Sequence, residues 1–157
     1  MSSFCRRSDD SDAAFPTPQL VDSAEAAVER LLSVAYQPPR PEVVVLLLTP
    51  DFLMHAVVIV DDTRSPDAVV EVIEFVAESA AQAGREEMLV VASIRPGDGP
   101  LPGDVDRWIE LSDLADSHGC ELLEWFVISD GVAWCPRDFL IEPPRWPAAT
   151  GSASDVR

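Results

Sequence analysis

Apolar runs of strand length recur along the chain and predict a β-sheet. Residues 43–48 and 88–94 are almost entirely apolar, a pattern typical of strands that are buried on both faces. Asp130 followed by Gly131 is a strong signal for a two-residue hairpin turn. The sequence therefore predicts strands over residues 43–48, 52–60, 88–94, 122–128 and 132–135.

Three further segments carry apolar residues at the spacing of an amphipathic helix. Ser65 followed by Pro66 is typical of a helix N-terminus, and Gly84 and Gly119 are expected stop signals. The sequence predicts helices over residues 19–36, 65–83 and 105–118. Helices interspersed with strands indicate a single α/β (mixed α+β) domain, in which helices pack on a mixed sheet.

The two ends of the chain differ from its middle in composition. Residues 1–18 are rich in Ser, Asp and Pro, and residues 143–157 are rich in Pro, Ala and Ser. Segments with few large apolar side chains bury too little surface to offset the entropy of ordering. We therefore expect a disordered N-terminal tail over residues 1–18, a folded domain over residues 19–142 and a flexible C-terminal tail over residues 143–157.

Charge and composition limit the classes of partner. The chain has 28 acidic and 11 basic residues, a formal net charge of −17, which repels phosphate backbones and argues against nucleic-acid binding. No segment approaches the roughly 20 consecutive apolar residues that a membrane span needs. The three cysteines lack the C-x-x-C spacing of zinc ribbons and redox sites. These features predict a soluble cytoplasmic protein with no membrane contact and no cofactor.

A segment rich in proline and glycine, SIRPGDGPLPGDVD, occupies residues 93–106, between a predicted strand and a predicted helix. It is similar to the metal-binding pattern H-x-H-P-x-G-x-P-x-P-S-x-x-D of RadC proteins. Three prolines and Asp106 match that pattern, whereas Ser93 and Arg95 stand at its two histidines. Weaker similarity continues over residues 40–135. The chain therefore resembles a RadC-like JAB/MPN domain, which implies a JAB/MPN-like mixed sheet.

The resemblance also implies a chemistry whose ligands are missing here. In JAB/MPN metallopeptidases two histidines and an aspartate hold zinc, and a glutamate on an early strand activates the bound water. Only Asp106 persists from that ligand set, and Arg95 places a permanent positive charge where the cation would sit. We therefore expect no metal, and an ion pair between Arg95 and Asp106 in its place.

Some of these residues also have simpler interpretations. Glu42 is a candidate remnant of the catalytic glutamate, offset by about one residue, or else a solvated residue that opens a strand. Asp106 can equally be an acid that stabilises a helix N-terminus. His118 is expected near a helix C-terminus and His55 on a strand, so the two histidines do not predict a rebuilt zinc site. Trp125 stands at a family histidine and is expected to fill space beside the vacated site.

The broken ligand set favours a non-catalytic domain that acts as a protein-interaction or scaffold module. Its partner would be another protein, with a homodimer as an alternative. Two other functions stay open: a metal-dependent peptidase or isopeptidase with displaced ligands, and an accessory protein associated with DNA repair. The missing histidines argue against the first, and the net charge argues against the second.

Overall fold

The computed structural model describes residues 19–147, together with the backbone of residues 4–8. The eight predicted helices and strands occur in the predicted order, with two further strands before the first helix and a 3₁₀ helix after the last strand. The mixed α+β single-domain fold is confirmed. In chain order they are β1 (Phe4–Ser8), β2 (Gln19–Leu20), α1 (Ala24–Val34), β3 (Glu42–Leu48), β4 (Leu53–Asp61), α2 (Ala68–Gln82), β5 (Met88–Ile94), α3 (Asp104–Ser117), β6 (Glu121–Ser129), β7 (Val132–Trp134) and a 3₁₀ helix (Pro136–Leu140).

Within the described residues, seven strands form one mixed sheet in the order β1-β4-β3-β5-β6-β7, with β2 also paired to β4. The central strand β3 runs antiparallel to β4 on one side and to β5 on the other. β5 and β6 run parallel, because α3 carries the chain back between them. β7 returns from β6 as a hairpin and forms one edge of the sheet.

The sheet is buried on both faces, as the apolar runs predict. Side chains of β3 alternate between two clusters, so that Val43 and Val45 pack toward α2 and α3 while Val44 and Leu46 pack toward α1. β3 and β5 are buried along their whole length. This alternation decides which polar side chains at the strand ends can meet.

The first helix begins later than predicted. Gln19–Leu20 pairs with β4 as β2, and α1 starts only at Ala24. The reason is a local cap, because the side chain of Ser23 accepts a hydrogen bond of 3.2 Å from the backbone N–H of Ala26. None of the helices in the described part of the chain is long and apolar enough to cross a membrane.

Both expected tail boundaries need correction where the structure describes them. Phe4–Ser8 is not a disordered segment, since it pairs with β4 along the register from Val60 to Ala56. At the other end, Trp146 packs against the α1 side of the core, and Arg145 donates a 2.8 Å hydrogen bond to the carbonyl of Leu122. The remaining parts of the expected tails, residues 1–3, 9–18 and 148–157, lie outside the described residues.

Candidate functional site at the end of strand β5

Ser93 is the first residue of the RadC-like segment and the last residue but one of β5. Its cross-strand neighbour on β3 is Val43, so its side chain faces α2 and α3. Its hydroxyl oxygen accepts a 3.0 Å hydrogen bond from the indole N–H of Trp125 on β6. Trp125 is fully buried, and it therefore fills the space beside Ser93, as the sequence predicts.

Arg95 follows β5 directly and forms a buried ion pair, but not with the expected partner. Its Nη1 and Nη2 donate to the two carboxylate oxygens of Asp104 at 2.8 and 3.0 Å. The two side chains are only 8% and 4% exposed. The predicted pair with Asp106 is wrong, because Asp106 is exposed on α3.

Helix periodicity explains why Asp104 replaces Asp106. The buried residues of α3 include Asp104, Trp108, Leu111 and Ala115, spaced by three or four positions along one stripe. Asp106 lies two positions further along the helix than Asp104 and so points away from that stripe. The missed residue could have been found from the sequence by extending the apolar stripe of the helix back to its first turn.

Asp104 is the centre of a wider polar network at the start of α3. It accepts hydrogen bonds of 2.8 Å from the backbone N–H of Leu101 and 2.9 Å from Nη1 of Arg107. The Nε of Arg107 in turn donates to Asp67, the residue before α2, at 2.8 Å. The network therefore ties the end of β5 to the starts of both helices on this face of the sheet.

The network has a definite effect on the ionisation of Asp104. Burial by itself raises the pKa of this carboxyl group, but hydrogen bonds from Arg95, from the backbone of Leu101 and from Arg107 together outweigh it. The net result is a pKa below the ordinary value of an aspartate. Asp104 therefore stays ionised at neutral pH and holds both guanidinium groups.

The loop between Arg95 and Asp104 is braced on both sides. The backbone N–H of Arg95 donates to the carbonyl of Ile128, and that of Gly97 donates to the carboxylate of Asp130 in the β6–β7 hairpin. Nη1 of Arg95 also donates to the carbonyl of Gly99 within the loop, at 3.2 Å. These hydrogen bonds of Arg95 and Gly97 hold the proline-rich segment in place.

Glu42 does not join this site. It opens β3 on the same face as Val44, opposite to the face that carries Ser93. It is fully buried rather than solvated, and Oε2 accepts a 2.8 Å hydrogen bond from the backbone N–H of Tyr36. Burial raises the pKa of its carboxyl group, although the Tyr36 hydrogen bond opposes the shift. The interpretation of Glu42 as a solvated residue is therefore wrong, and Glu42 does not share the face that carries Ser93.

The residue of β3 that lies opposite Ser93 is Val43, which is apolar. Val43 lines a cavity of about 230 Å³. Ser93, Arg95 and Thr63 add polar groups to the cavity wall, and Val69 and Leu101 add apolar surface. We refer to this space as the Arg95 cavity.

The residues at this position do not fit a zinc ion. Zinc in proteins takes thiolate, imidazole or carboxylate ligands. Here a hydroxyl group and a guanidinium group stand at the positions that resemble the two histidines. The carboxylate bonded to Arg95, that of Asp104, already accepts from two arginines. Among the described residues, no three His, Cys, Asp or Glu side chains are grouped as a metal site would require.

The two histidines lie elsewhere in the fold. Nδ1 of His118 lies 3.0 Å from the carbonyl of Leu114 at the end of α3, which confirms its predicted place at a helix C-terminus. His55 lies on β4, and its Nε2 is 2.6 Å from Oε1 of the buried Glu87. Neither histidine approaches the Arg95 cavity lining.

A second buried ion pair was not predicted. Glu124 on β6 is fully buried and accepts hydrogen bonds of 3.0–3.2 Å from Nε and Nη2 of Arg137 in the 3₁₀ helix. Burial raises the pKa of Glu124, and the Arg137 hydrogen bonds partly offset that shift. A glutamate inside a predicted buried strand is a signal that a cation must lie nearby, although the sequence alone does not say which one.

The comparisons with protein-family models and with curated proteins found no match. The resemblance to RadC-like JAB/MPN domains therefore rests on the residues of the segment 93–106 and on the order of the elements around it.

We predict that Arg95→Ala lowers the free energy of unfolding by about 1–3 kcal/mol, because it removes two donors from a buried carboxylate that keeps its other partners. The control Asp106→Ala, at an exposed position, should change it by less than about 0.5 kcal/mol. Urea unfolding of both single variants, of Asp104→Ala and of the double variant gives the coupling energy. Zero coupling between Arg95 and Asp104 would contradict the ion pair.

The stabilisation from the Arg95–Asp104 ion pair should decrease at low pH. Because the folded pKa of Asp104 lies below its ordinary value, its stabilisation is present above the ordinary carboxyl range. The stabilisation is then lost as pH falls through the folded pKa. The coupling energy measured in the cycle should therefore shrink in acid.

Glu42 should show the opposite dependence. Since its folded pKa is raised above 4.5, its contribution is fully present below that pH and is lost as pH rises through the folded value. We predict that Glu42→Gln is more stable than the unmodified chain at neutral pH, and that the difference vanishes in acid. Thermal unfolding across the pH range measures this, with the exposed Glu29→Gln on α1 as control. A variant less stable at neutral pH would show that Glu42 is needed as a carboxylate.

Proposed function

We propose that this chain is a metal-free, RadC-like JAB/MPN domain that acts as a non-catalytic protein-interaction or scaffold module. The observation that carries the proposal is the buried, bidentate ion pair between Arg95 and Asp104. A catalytic zinc site needs three protein ligands and an open position for water. In this chain the corresponding position is taken up by a satisfied network of fixed charges.

The network supports a structural role for the former site. Each member of the network bonds to another element: Arg95 to the start of α3, Arg107 to the residue before α2, and Ser93 to β6. Groups arranged in this way stabilise a rigid loop and leave no group poised to activate water. A domain that keeps its rigid fold without such groups is suited to binding.

The surface that we assign to a partner lies at the β7 edge of the sheet. Among the described residues β7 pairs with β6 alone, so its outer backbone edge is open to another chain. This edge and the 3₁₀ helix after it expose large apolar side chains, up to 93% in the case of Ile141. We call this the β7 surface; its exposed residues are Val132, Trp134, Phe139, Leu140 and Ile141. Large exposed apolar side chains at an open sheet edge support the assignment of an interaction site there.

The competing functions have less support. A hydrolase would need a metal or an activated nucleophile, and Ser93 contacts an indole rather than a base. A DNA-associated role has to overcome a net charge of −17. The described thiols Cys120 and Cys135 are free, which supports a cytoplasmic location as part of the proposal.

We predict that the purified chain, equilibrated with zinc and then desalted, retains far less than stoichiometric metal. The reason is that Arg95 keeps a positive charge beside the carboxylate of Asp104. Elemental analysis measures this, with the variant carrying Ser93→His and Arg95→His as a comparison that supplies two imidazole ligands. Stoichiometric zinc in the unmodified chain, lost on Asp104→Ala or Asp106→Ala, would favour the peptidase alternative instead.

We also predict that Trp134→Ser combined with Ile141→Ser abolishes capture of the partner from the native cells while leaving the melting temperature nearly unchanged. Both side chains are exposed, so their loss removes contact surface without opening the core. The control is Leu32→Ser on α1, which is exposed to a similar degree as Trp134 and should not affect capture. Capture that survives the double variant would place the interaction elsewhere. Sedimentation of the purified chain distinguishes a second copy from a different partner.

A further inference from the structure

Two carboxyl groups meet at one end of the β3–β4 strand pair, on the face of the sheet opposite to Ser93. Glu42, the first residue of β3, and Asp61, the last residue of β4, are direct cross-strand partners, so their side chains lie on the same face. Each carboxyl group has one buried oxygen, Oε1 of Glu42 and Oδ1 of Asp61, without a hydrogen-bond partner among the described residues. Two neighbouring acceptors that are both buried and unpaired require a donor.

The other oxygen of each carboxyl group is held by Tyr36, in the segment that joins α1 to β3. The backbone N–H of Tyr36 donates to Oε2 of Glu42 at 2.8 Å, and its phenol O–H donates to Oδ2 of Asp61 at 3.1 Å. The guanidinium group of Arg40 lies 3.5 Å from the centre of the Tyr36 ring and 3.7 Å from Oδ2 of Asp61. A single residue therefore bridges the two carboxyl groups, and we refer to Tyr36 and Arg40 together as the Tyr36 cover.

The charges around Glu42 balance when the carboxyl pair holds one proton. The charged groups that act on Glu42 are Asp61 on β4 and Arg40 in the segment before β3. On its other side, the cross-strand neighbour of Glu42 on β5 is the apolar Ile94. With one proton on the pair, one carboxylate faces one guanidinium group. Without that proton, two carboxylates face a single guanidinium group on a side chain that is 54% exposed, which leaves a buried negative charge uncompensated.

Glu42 is the member of the pair that is suited to hold the proton. It is fully buried, whereas the side chain of Asp61 is 29% exposed. Burial raises the pKa of Glu42 and the charge of Asp61 raises it further, while the Tyr36 hydrogen bond and Arg40 oppose the shift. A proton on Oε1 of Glu42 that is donated to Oδ1 of Asp61 would satisfy both unpaired oxygens with one hydrogen bond.

A metal ion is a poorer occupant of this position than a proton. In the part of the chain that the structure describes, no third acidic, histidine or cysteine side chain joins the two carboxyl groups to form a metal site. Hard cations such as calcium take six or more oxygen ligands. The nearby guanidinium group of Arg40 would also repel a cation.

We propose that Glu42 and Asp61 share one proton and form a pH-sensitive latch for the Tyr36 cover. While the pair holds the proton, it accepts both hydrogen bonds of Tyr36 and keeps the cover on the sheet. When Glu42 releases the proton to water, the two carboxylates repel each other across the strand pair. Asp61, the more exposed member, then turns toward solvent, and its hydrogen bond from the Tyr36 phenol is lost.

The direction of the switch follows from the raised pKa of Glu42. The latch is closed below the folded pKa of this group and opens as pH rises through it. The inference goes beyond the proposed function, because the latch involves neither the β7 surface nor the ion pair of Arg95 with Asp104. Partner capture and the latch are therefore tested separately.

The test is a pH titration of the isotopically labelled full chain by nuclear magnetic resonance, from about pH 4 to about pH 9, below the ionisation of a phenol. The side-chain carboxyl carbon of Glu42 reports the proton, and the ring of Tyr36, the only tyrosine of the chain, reports the cover. Both signals should change together, with one midpoint above the ordinary range of a glutamate. A Glu42 midpoint within the ordinary range, no titration of Glu42 up to the highest pH, or a Tyr36 ring that does not follow Glu42 would overturn the latch.

Two variants that keep the shape of the replaced side chain separate a shared proton from simple burial. In Glu42→Gln an amide N–H permanently replaces the shared proton, so the Tyr36 ring should keep its low-pH signal throughout the titration. Asp61→Asn removes the second negative charge and should lower the Glu42 midpoint by about one pH unit. Glu29→Gln, at an exposed position on α1, is the control and should change neither signal.

The same spectra show whether each variant is folded, because a folded chain keeps its dispersed resonances. A Tyr36 ring that still titrates in folded Glu42→Gln would contradict the latch. An unchanged Glu42 midpoint in folded Asp61→Asn would show that the proton is not shared.

Discussion

The buried ion pair between Arg95 and Asp104 is the interaction on which the loop and helix arrangement of this face depends. A guanidinium and a carboxylate removed from water stabilise a fold only when their hydrogen bonds are satisfied and their geometry is bidentate. Here both conditions hold, since the pair is bidentate and Asp104 also accepts from Leu101 and Arg107. The end of β5, the proline-rich loop and the starts of α2 and α3 are therefore positioned by one connected set of charges.

This constraint links the fold to the proposed function. In the family that the segment resembles, a metal ion holds the same strand end and helix start together. In this chain a fixed cation performs that structural task, and a fixed cation has no exchangeable water to activate. Under the proposed function, the loss of catalysis and the retention of a rigid scaffold would have the same physical cause.

Much of the architecture was predictable because periodicity reports directly on burial. The strands at residues 43–48 and 88–94 are apolar at successive positions because both of their faces are covered. The ion pair was assigned to the wrong aspartate, since matching to a family pattern selects Asp106 by its distance along the chain. The face of α3 selects Asp104 instead, because side chains meet by their angle around the helix axis. For Glu42 the offset of one residue does reverse the face, so its side chain lies on the side of β3 opposite to Ser93.

By itself the sequence determined the order of elements, the double-sided burial of the central strands and the excess of negative charge. It also determined that Ser93 and Arg95 stand at the positions that resemble two metal-binding histidines. Only the tertiary structure decided which charges pair, since the Arg137 to Glu124 contact joins residues from different elements. It also decided that Phe4–Ser8 and Trp146 belong to the folded body, which composition did not indicate. The physical reason is that periodicity along one element reveals which face is buried. The partner of a buried charge depends on how separate elements are placed in space.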